Sequence, residues 1–217
     1  MTHSTDGGGQ PEPLRCEDPN RLVPSGPMLP VEMYFDYASP WAYLASEIVA
    51  RRLPGVPLTL RPIYIRGLES FSQGVPYSPT KLAYIARDLS RCMAHEGVRF
   101  TPPPVFPING LYALRAALLA ERDGSLDALH PALFRATWAD GRDLSSKAAV
   151  AELARGLGLG SVADGLDDPG VKAELKTRTD AAVALGIFGV PTFAVAGDLF
   201  WGHDRMDYVL RAASEPE

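Results

Sequence analysis

One junction constrains this chain more than any other stretch. The apolar, β-prone run Val31-Glu32-Met33-Tyr34-Phe35-Asp36 stops shortly before Ser39-Pro40, and Trp41, Leu44, Ala45, Ile48 and Val49 then follow at helical spacing. The first run reads as a buried strand, because β-branched and aromatic side chains fill a pleated surface. Serine as N-cap with proline at the first helical position is a strong helix start. Leu53-Pro54-Gly55 ends the helix, and residues 58–64 read as a second strand. Two strands joined by one helix pair in parallel through a right-handed crossover.

From about residue 78 to 186 the pattern is helical. Ser78-Pro79 starts a helix with Leu82, Ile85, Ala86, Leu89 and Met93 on its apolar side. Further helices are predicted at about 109–122, 125–138 and 145–155. Asp168-Pro169 opens another, with Val171, Leu175, Ala182 and Val183 on it and Gly186 just past its end. Strand signals return at 192–196, then a Gly197-Asp198 turn and residues 199–201, a tight hairpin. A last amphipathic helix carries Met206, Val209, Leu210 and Ala213. The order β-α-β, helical block, β-β-α predicts an α/β protein, a thioredoxin-like sheet with an all-helical domain inserted in its middle. The sheet domain takes residues 31–66 and 187–217, and the inserted domain 67–186. Residues 1–30 hold six of the twenty prolines, a Gly7-Gly8-Gly9 run and few apolar residues. They read as a disordered or loosely attached tail, since little apolar surface offsets their chain entropy.

Composition removes several function classes. With 26 acidic and 21 basic residues the net charge is −5, and no Lys/Arg cluster offers a footprint for nucleic acid or an anionic membrane. No apolar run reaches the roughly 18 residues of a spanning helix. Cys16 and Cys92 are too few and too far apart for a disulfide framework, and there is no Cys-x-x-Cys, which fits a reduced, cytoplasmic protein. His3, His95, His130 and His203 share no ligand spacing, so no metal site is expected. His95 reads as solvent-facing, and His130, followed by Pro131, as the mark of a helix kink. The glycines from Gly156 to Gly160 follow a helix and lack a Lys-Ser/Thr ending, so they read as a cap and turn instead of a phosphate loop.

Chemistry concentrates at three places. Ser39 is first an N-cap, but the same position presents free N–H groups and a positive helix dipole that stabilise an anion. Redox proteins of this fold keep a reactive cysteine there. A serine hydroxyl there can donate a hydrogen bond to a thiolate carried by a ligand. The second place is Gly189-Val190-Pro191-Thr192-Phe193, a turn into a strand where a cis proline would lie. Such a bond leaves the Val190 backbone groups free for an extended, peptide-like ligand. Glutathione is one, and it carries a thiol. The third is Trp201-Gly202-His203-Asp204-Arg205, where N–H groups can hold a carboxylate and Asp204 either caps a helix or pairs with an ammonium.

These residues carry a resemblance. Residues 34–44, from Tyr34-Phe35-Asp36 through Ser39-Pro40-Trp41 to Leu44, resemble the opening motif of 2-hydroxychromene-2-carboxylate isomerases, relatives of kappa-class glutathione transferases in the DsbA-like group. The likeness continues through Pro79-Thr80-Lys81-Leu82, Phe106-Pro107-Ile108-Asn109, residues 186–193 and residues 200–205. It implies a glutathione-dependent isomerase or transferase acting on an electrophilic, aromatic small molecule, with a homodimer as its assembly. By the same resemblance Ser39 is the catalytic residue at the glutathione sulfur. Val190, Pro191, His203 and Asp204 line the glutathione site, and Lys81 and Asn109 lie toward the second substrate. The sequence departs from the pattern at Gly67-Leu68-Glu69-Ser70-Phe71-Ser72-Gln73-Gly74, where the isomerases usually carry a Phe-Lys pair and a Gly-Asn. A glutamate there disfavours an anionic carboxylate substrate. The rival readings are a non-catalytic protein that grips peptides at Val190-Pro191 and, more weakly, a thiol–disulfide oxidoreductase using Cys92.

Overall fold

The computed structural model describes residues 27–214, so most of the expected tail lies outside the described residues. Within it, Met28 and Leu29 pack against the core, and Leu29 N–H donates to the Ala213 carbonyl at 2.8 Å. Strand β1 (Val31–Phe35) leads to α1 (Pro40–Arg52) and then to β2 (Leu58–Pro62). The helical segment follows as α2 (Pro79–His95), α3 (Leu111–Asp123), α4 (Leu126–Trp138), α5 (Lys147–Gly156), α6 (Gly160–Asp164) and α7 (Pro169–Ala184). The chain closes with β3 (Thr192–Val195), β4 (Asp198–Trp201) and α8 (Met206–Ser214). The sheet order is β2-β1-β3-β4, parallel between β1 and β2 and antiparallel elsewhere. This is the α/β, thioredoxin-like arrangement that the element order predicts.

Caps at the helix starts explain why these segments are helical. Ser39, Ser78 and Asp168 each precede a proline and accept a first-turn N–H with the side chain, from Ala42, Lys81 and Gly170 respectively. Gly186, at φ +87°, follows α7 in the left-handed conformation expected of it. Strand β1 lies inside the sheet; Val31, Met33 and Phe35 share one fully buried face, while the other carries buried Tyr34 and half-buried Glu32, which pairs with Arg61. Helices α1 and α8 pack together, and α3 and α7 pack together and meet β2, in one continuous core.

The structure moves several details. The hairpin turn is Ala196-Gly197, one residue earlier than expected, and both residues have positive φ as a two-residue turn of this hand demands. Alanine is a poor candidate for that conformation, which is why Gly-Asp looked preferable. Helix α6 was not expected, because five residues cannot display a helical period. Helix α3 begins at Leu111, two residues after Asn109. Helix α4 continues through Pro131, which lies in its interior. The N-terminal half of α2 is less covered than its pattern implied, with Leu82 and Ile85 half-buried, Ala86 exposed, and Leu89 and Met93 buried. Val183 on α7 is exposed.

Candidate active site

Ser39 sits between the end of β1 and the start of α1 and is buried. Its Oγ accepts the Ala42 N–H at 3.2 Å and donates to the Val190 carbonyl at 3.3 Å. The cap and the strand across the sheet therefore share one hydroxyl. The Val190–Pro191 bond is cis, and the Pro191 carbonyl accepts the Gly202 N–H at 2.9 Å. That bond ties the segment after β4 to the segment before β3. Gly202 has φ +113°, and a Cβ there would stand 2.5 Å from Asp204 Oδ1, so this turn admits only glycine. His203 stacks on Trp41 with ring centroids 4.9 Å apart and 12° between planes. Burial holds its pKa below the usual histidine value, against the opposing charges of Asp204, Glu96 and Asp88. Ser39, Trp41, Val190, Pro191, His203 and Asp204 thus meet at one end of the sheet. Phe188 and Trp201, both exposed, pack with their rings tilted by 59° and centroids 5.0 Å apart.

The loop that carries Ser39 is tied down from several sides. Asp36 is fully buried and accepts the Ala38 N–H at 2.9 Å and the Ile65 N–H at 2.8 Å, and its carbonyl accepts the Ser39 N–H at 3.0 Å. Trp138 Nε1 donates to the Tyr37 carbonyl at 2.9 Å. The Tyr37 hydroxyl meets His130 Nδ1 at 3.2 Å, and His130 Nε2 meets the Ser46 hydroxyl at 2.9 Å. His130 is therefore a buried, neutral link between α4, α1 and the loop; burial lowers its pKa to about 3. Sequence reasoning placed it at a kink and missed this role.

Asn109 and Lys81 have different neighbours. Asn109 Oδ1 accepts the Leu111 N–H at 3.2 Å and the Tyr64 hydroxyl at 3.3 Å, so it caps the start of α3. Its neighbour Gly110 lies against the serine loop. A Cβ at Gly110 would stand 2.2 Å from Asp36 Oδ1 and 3.2 Å from the Ala38 nitrogen. Gly110→Ala is expected to cost about 1–3 kcal/mol of stability by overpacking, measurable by urea unfolding, although alanine is the better helix former. Lys81 stands on the exposed first turn of α2, its ammonium 4.3 Å from the centre of the Tyr77 ring, in a separate aromatic patch that includes Phe71. Glu69 is exposed in the preceding segment. Cys92 is a free thiol on α2 whose pKa is raised by burial and by the carboxylates of Asp88, Asp204 and Glu96, the reverse of a nucleophilic cysteine. His95 is exposed, and no group of three or more potential metal ligands occurs among the described residues.

A parallel β-α-β unit, an antiparallel hairpin and a buried strand-to-helix junction facing a cis proline define a thioredoxin-like protein, with Ser39 at that junction. Residues 30–213 match the DSBA-like thioredoxin domain, and the chain belongs to that family. It is 29% identical over 190 residues to 2-hydroxychromene-2-carboxylate isomerase of Sphingobium xenophagum, covering 82% of this chain and 95% of that protein. It is 28% identical over 205 residues to human glutathione S-transferase kappa 1, covering 85% and 91%. A solved 2-hydroxychromene-2-carboxylate isomerase superposes with a TM-score of 0.73 at 24% identity, over 84% of this chain and 93% of the other. Among the described residues no helix is long and apolar enough to cross a membrane.

Proposed function

We propose that this protein is a glutathione-dependent enzyme, an isomerase of the 2-hydroxychromene-2-carboxylate type or a kappa-like transferase, acting on an electrophilic aromatic small molecule. The observation that carries the reading is the Ser39 hydroxyl, buried at a helix N-terminus and hydrogen-bonded to the Val190 carbonyl. The names of the isomerase and transferase relatives support it. Glutathione, when bound, supplies a thiolate that adds reversibly to an unsaturated carbon. Ser39 turns its proton from the Val190 carbonyl toward that sulfur, and the first-turn N–H groups of α1 add positive potential. The carbonyl released by Ser39 becomes an acceptor for a ligand N–H. Asp204, exposed at the entrance, pairs with the γ-glutamyl ammonium, and the Trp41–His203 stack forms a flat wall beside it. Glu69, exposed before α2, disfavours an anionic second substrate, and Asn109 holds the Tyr64 hydroxyl. A reduced cytoplasmic setting and a homodimer complete the proposal; the apolar surface left by Phe188, Trp201 and Leu185 favours self-association.

Calorimetric titration tests this reading against the peptide-gripping one. Glutathione is expected to bind with a dissociation constant of ~1 mM or tighter, and S-methylglutathione, whose sulfur cannot ionise, more weakly. Binding of an extended cysteine-free peptide with no heat from glutathione would overturn the proposal.

A further inference from the structure

We infer that Asp36 is the positioning residue for Ser39, and that its ionised carboxylate holds the serine loop more tightly than its acid form can. Each carboxylate oxygen already accepts one backbone N–H, Oδ1 from Ala38 and Oδ2 from Ile65. The main-chain carbonyl of the same residue takes the Ser39 N–H. Two consecutive amides, Ala38 and Ser39, therefore hang on Asp36, and the Ile65 bond pins the same carboxylate to the segment after β2. The start of α3 closes the remaining side, since Gly110 leaves no room beneath Oδ1 for even a methyl group. A proton on either oxygen turns it into a hydroxyl, a far weaker acceptor, so protonation weakens the bond to Ala38 or to Ile65. In either case an anchor of the loop between β1 and α1 weakens, and the Ser39 hydroxyl shifts relative to the Ala42 N–H and the Val190 carbonyl.

The groups around Asp36 set where this happens. Burial raises its pKa to about 6, with the two N–H bonds and the Arg66 guanidinium pulling the other way. Tyr37 and Tyr64 are its other titratable neighbours. Burial and the Asp36 charge keep the Tyr37 phenol neutral; burial raises the Tyr64 pKa too, Arg66 opposing it. The start of α3 presents Asn109 and Gly110, uncharged, together with the positive end of its helix dipole. His130, beyond Tyr37, titrates far lower. The weakening consequently falls within the range of ordinary assay buffers.

The experiment is a pH titration of the full chain by amide NMR, with and without Asp36→Asn. In the wild type the Ala38, Ile65 and Ala42 resonances should move with one shared midpoint near pH 6, the last because Ser39 Oγ caps that amide. Asp36→Asn should abolish that midpoint. If that variant does not fold, Arg66→Gln, an exposed change, should move the midpoint upward by removing the opposing charge. An Ala42 resonance that ignores the transition overturns the inference, as does a midpoint that survives Asp36→Asn or stays put in Arg66→Gln. The consequence for ligand rests on the function proposed above. Glutathione affinity should fall about tenfold from pH 7.5 to pH 5 with the same midpoint, and the difference between wild type and Asp36→Asn removes the contribution of His203. Glutathione affinity that stays level across the amide midpoint also overturns the inference. Glutathione that binds at no pH, with the three amides still titrating together, overturns the proposed function and upholds the role of Asp36.

Discussion

Ser39→Ala is expected to raise the thiol pKa of bound glutathione by about 1–2 units, read from thiolate absorbance as a function of pH. The figure follows from the hydroxyl's hydrogen bond to a charged sulfur, roughly 1.5–3 kcal/mol, at about 1.4 kcal/mol per unit. Turnover near neutral pH should fall roughly 10- to 100-fold, since the thiolate is the nucleophile and less of it is present. The same substitution removes the acceptor of the Ala42 N–H and so costs about 1 kcal/mol as a lost N-cap. Ser39→Gly separates the two roles. Glycine at an N-cap costs only a few tenths of a kcal/mol, so Gly and Ala variants should lose turnover equally and stability unequally. If the sulfur pKa is the same in wild type and both variants, Ser39 does not hold the thiolate, and a structural N-cap is its whole role.

Much of this site was legible because local chemistry repeats itself. Ser39-Pro40, Ser78-Pro79 and Asp168-Pro169 announce helix starts through residues that act within one turn. The β1-α1-β2 order then fixes which strand end faces Ser39. The placement of Val190 opposite it follows from fold order, with no long-range contact having to be guessed. What stayed hidden depends on contacts across the sequence. Asp36 reads as the polar end of a strand, and its burial becomes visible only when Ile65 and Gly110 close around it. His130 pairs with residues 84 and 93 positions away, which no periodicity reports. The aromatic stack of Trp41 on His203 joins α1 to the segment after β4, and in the sequence Trp41 is only one more apolar helix residue. Asn109 was legible as a special residue, but nothing in the sequence shows that its side chain accepts the Leu111 N–H and the Tyr64 hydroxyl ahead of the helix instead of starting it.

The two buried titratable groups around the Ser39 loop should give the protein an unusual acid profile. His130 has a folded pKa of about 3 against an ordinary 6.5. The unfolded chain takes up that proton first, so stability is lost as pH falls from 6.5 toward 3. Asp36 works in the opposite direction, with a folded pKa of about 6 against 3.8. Its proton binds the folded chain first, so stability is gained as pH falls from 6 toward 3.8. Between pH 6.5 and about pH 4.5 the histidine contributes a loss of about 2.5 kcal/mol and the aspartate a gain of about 2 kcal/mol, at 1.36 kcal/mol per unit. The wild type should therefore change by less than about 1 kcal/mol from these groups, which urea unfolding across that range measures. Asp36→Asn should uncover the full His130 loss, and His130→Gln should shift the slope the other way from wild type, toward greater stability in acid. Equal slopes in all three proteins would mean that neither group is buried as described. The sign for Asp36 carries the functional point. Protonation relieves a buried charge and makes the fold as a whole more stable, while it weakens one of the two N–H bonds that hold the serine loop. At neutral pH the protein keeps a carboxylate that its interior disfavours, because in that form each oxygen is a full acceptor, one for Ala38 beside Ser39 and one for Ile65 after β2.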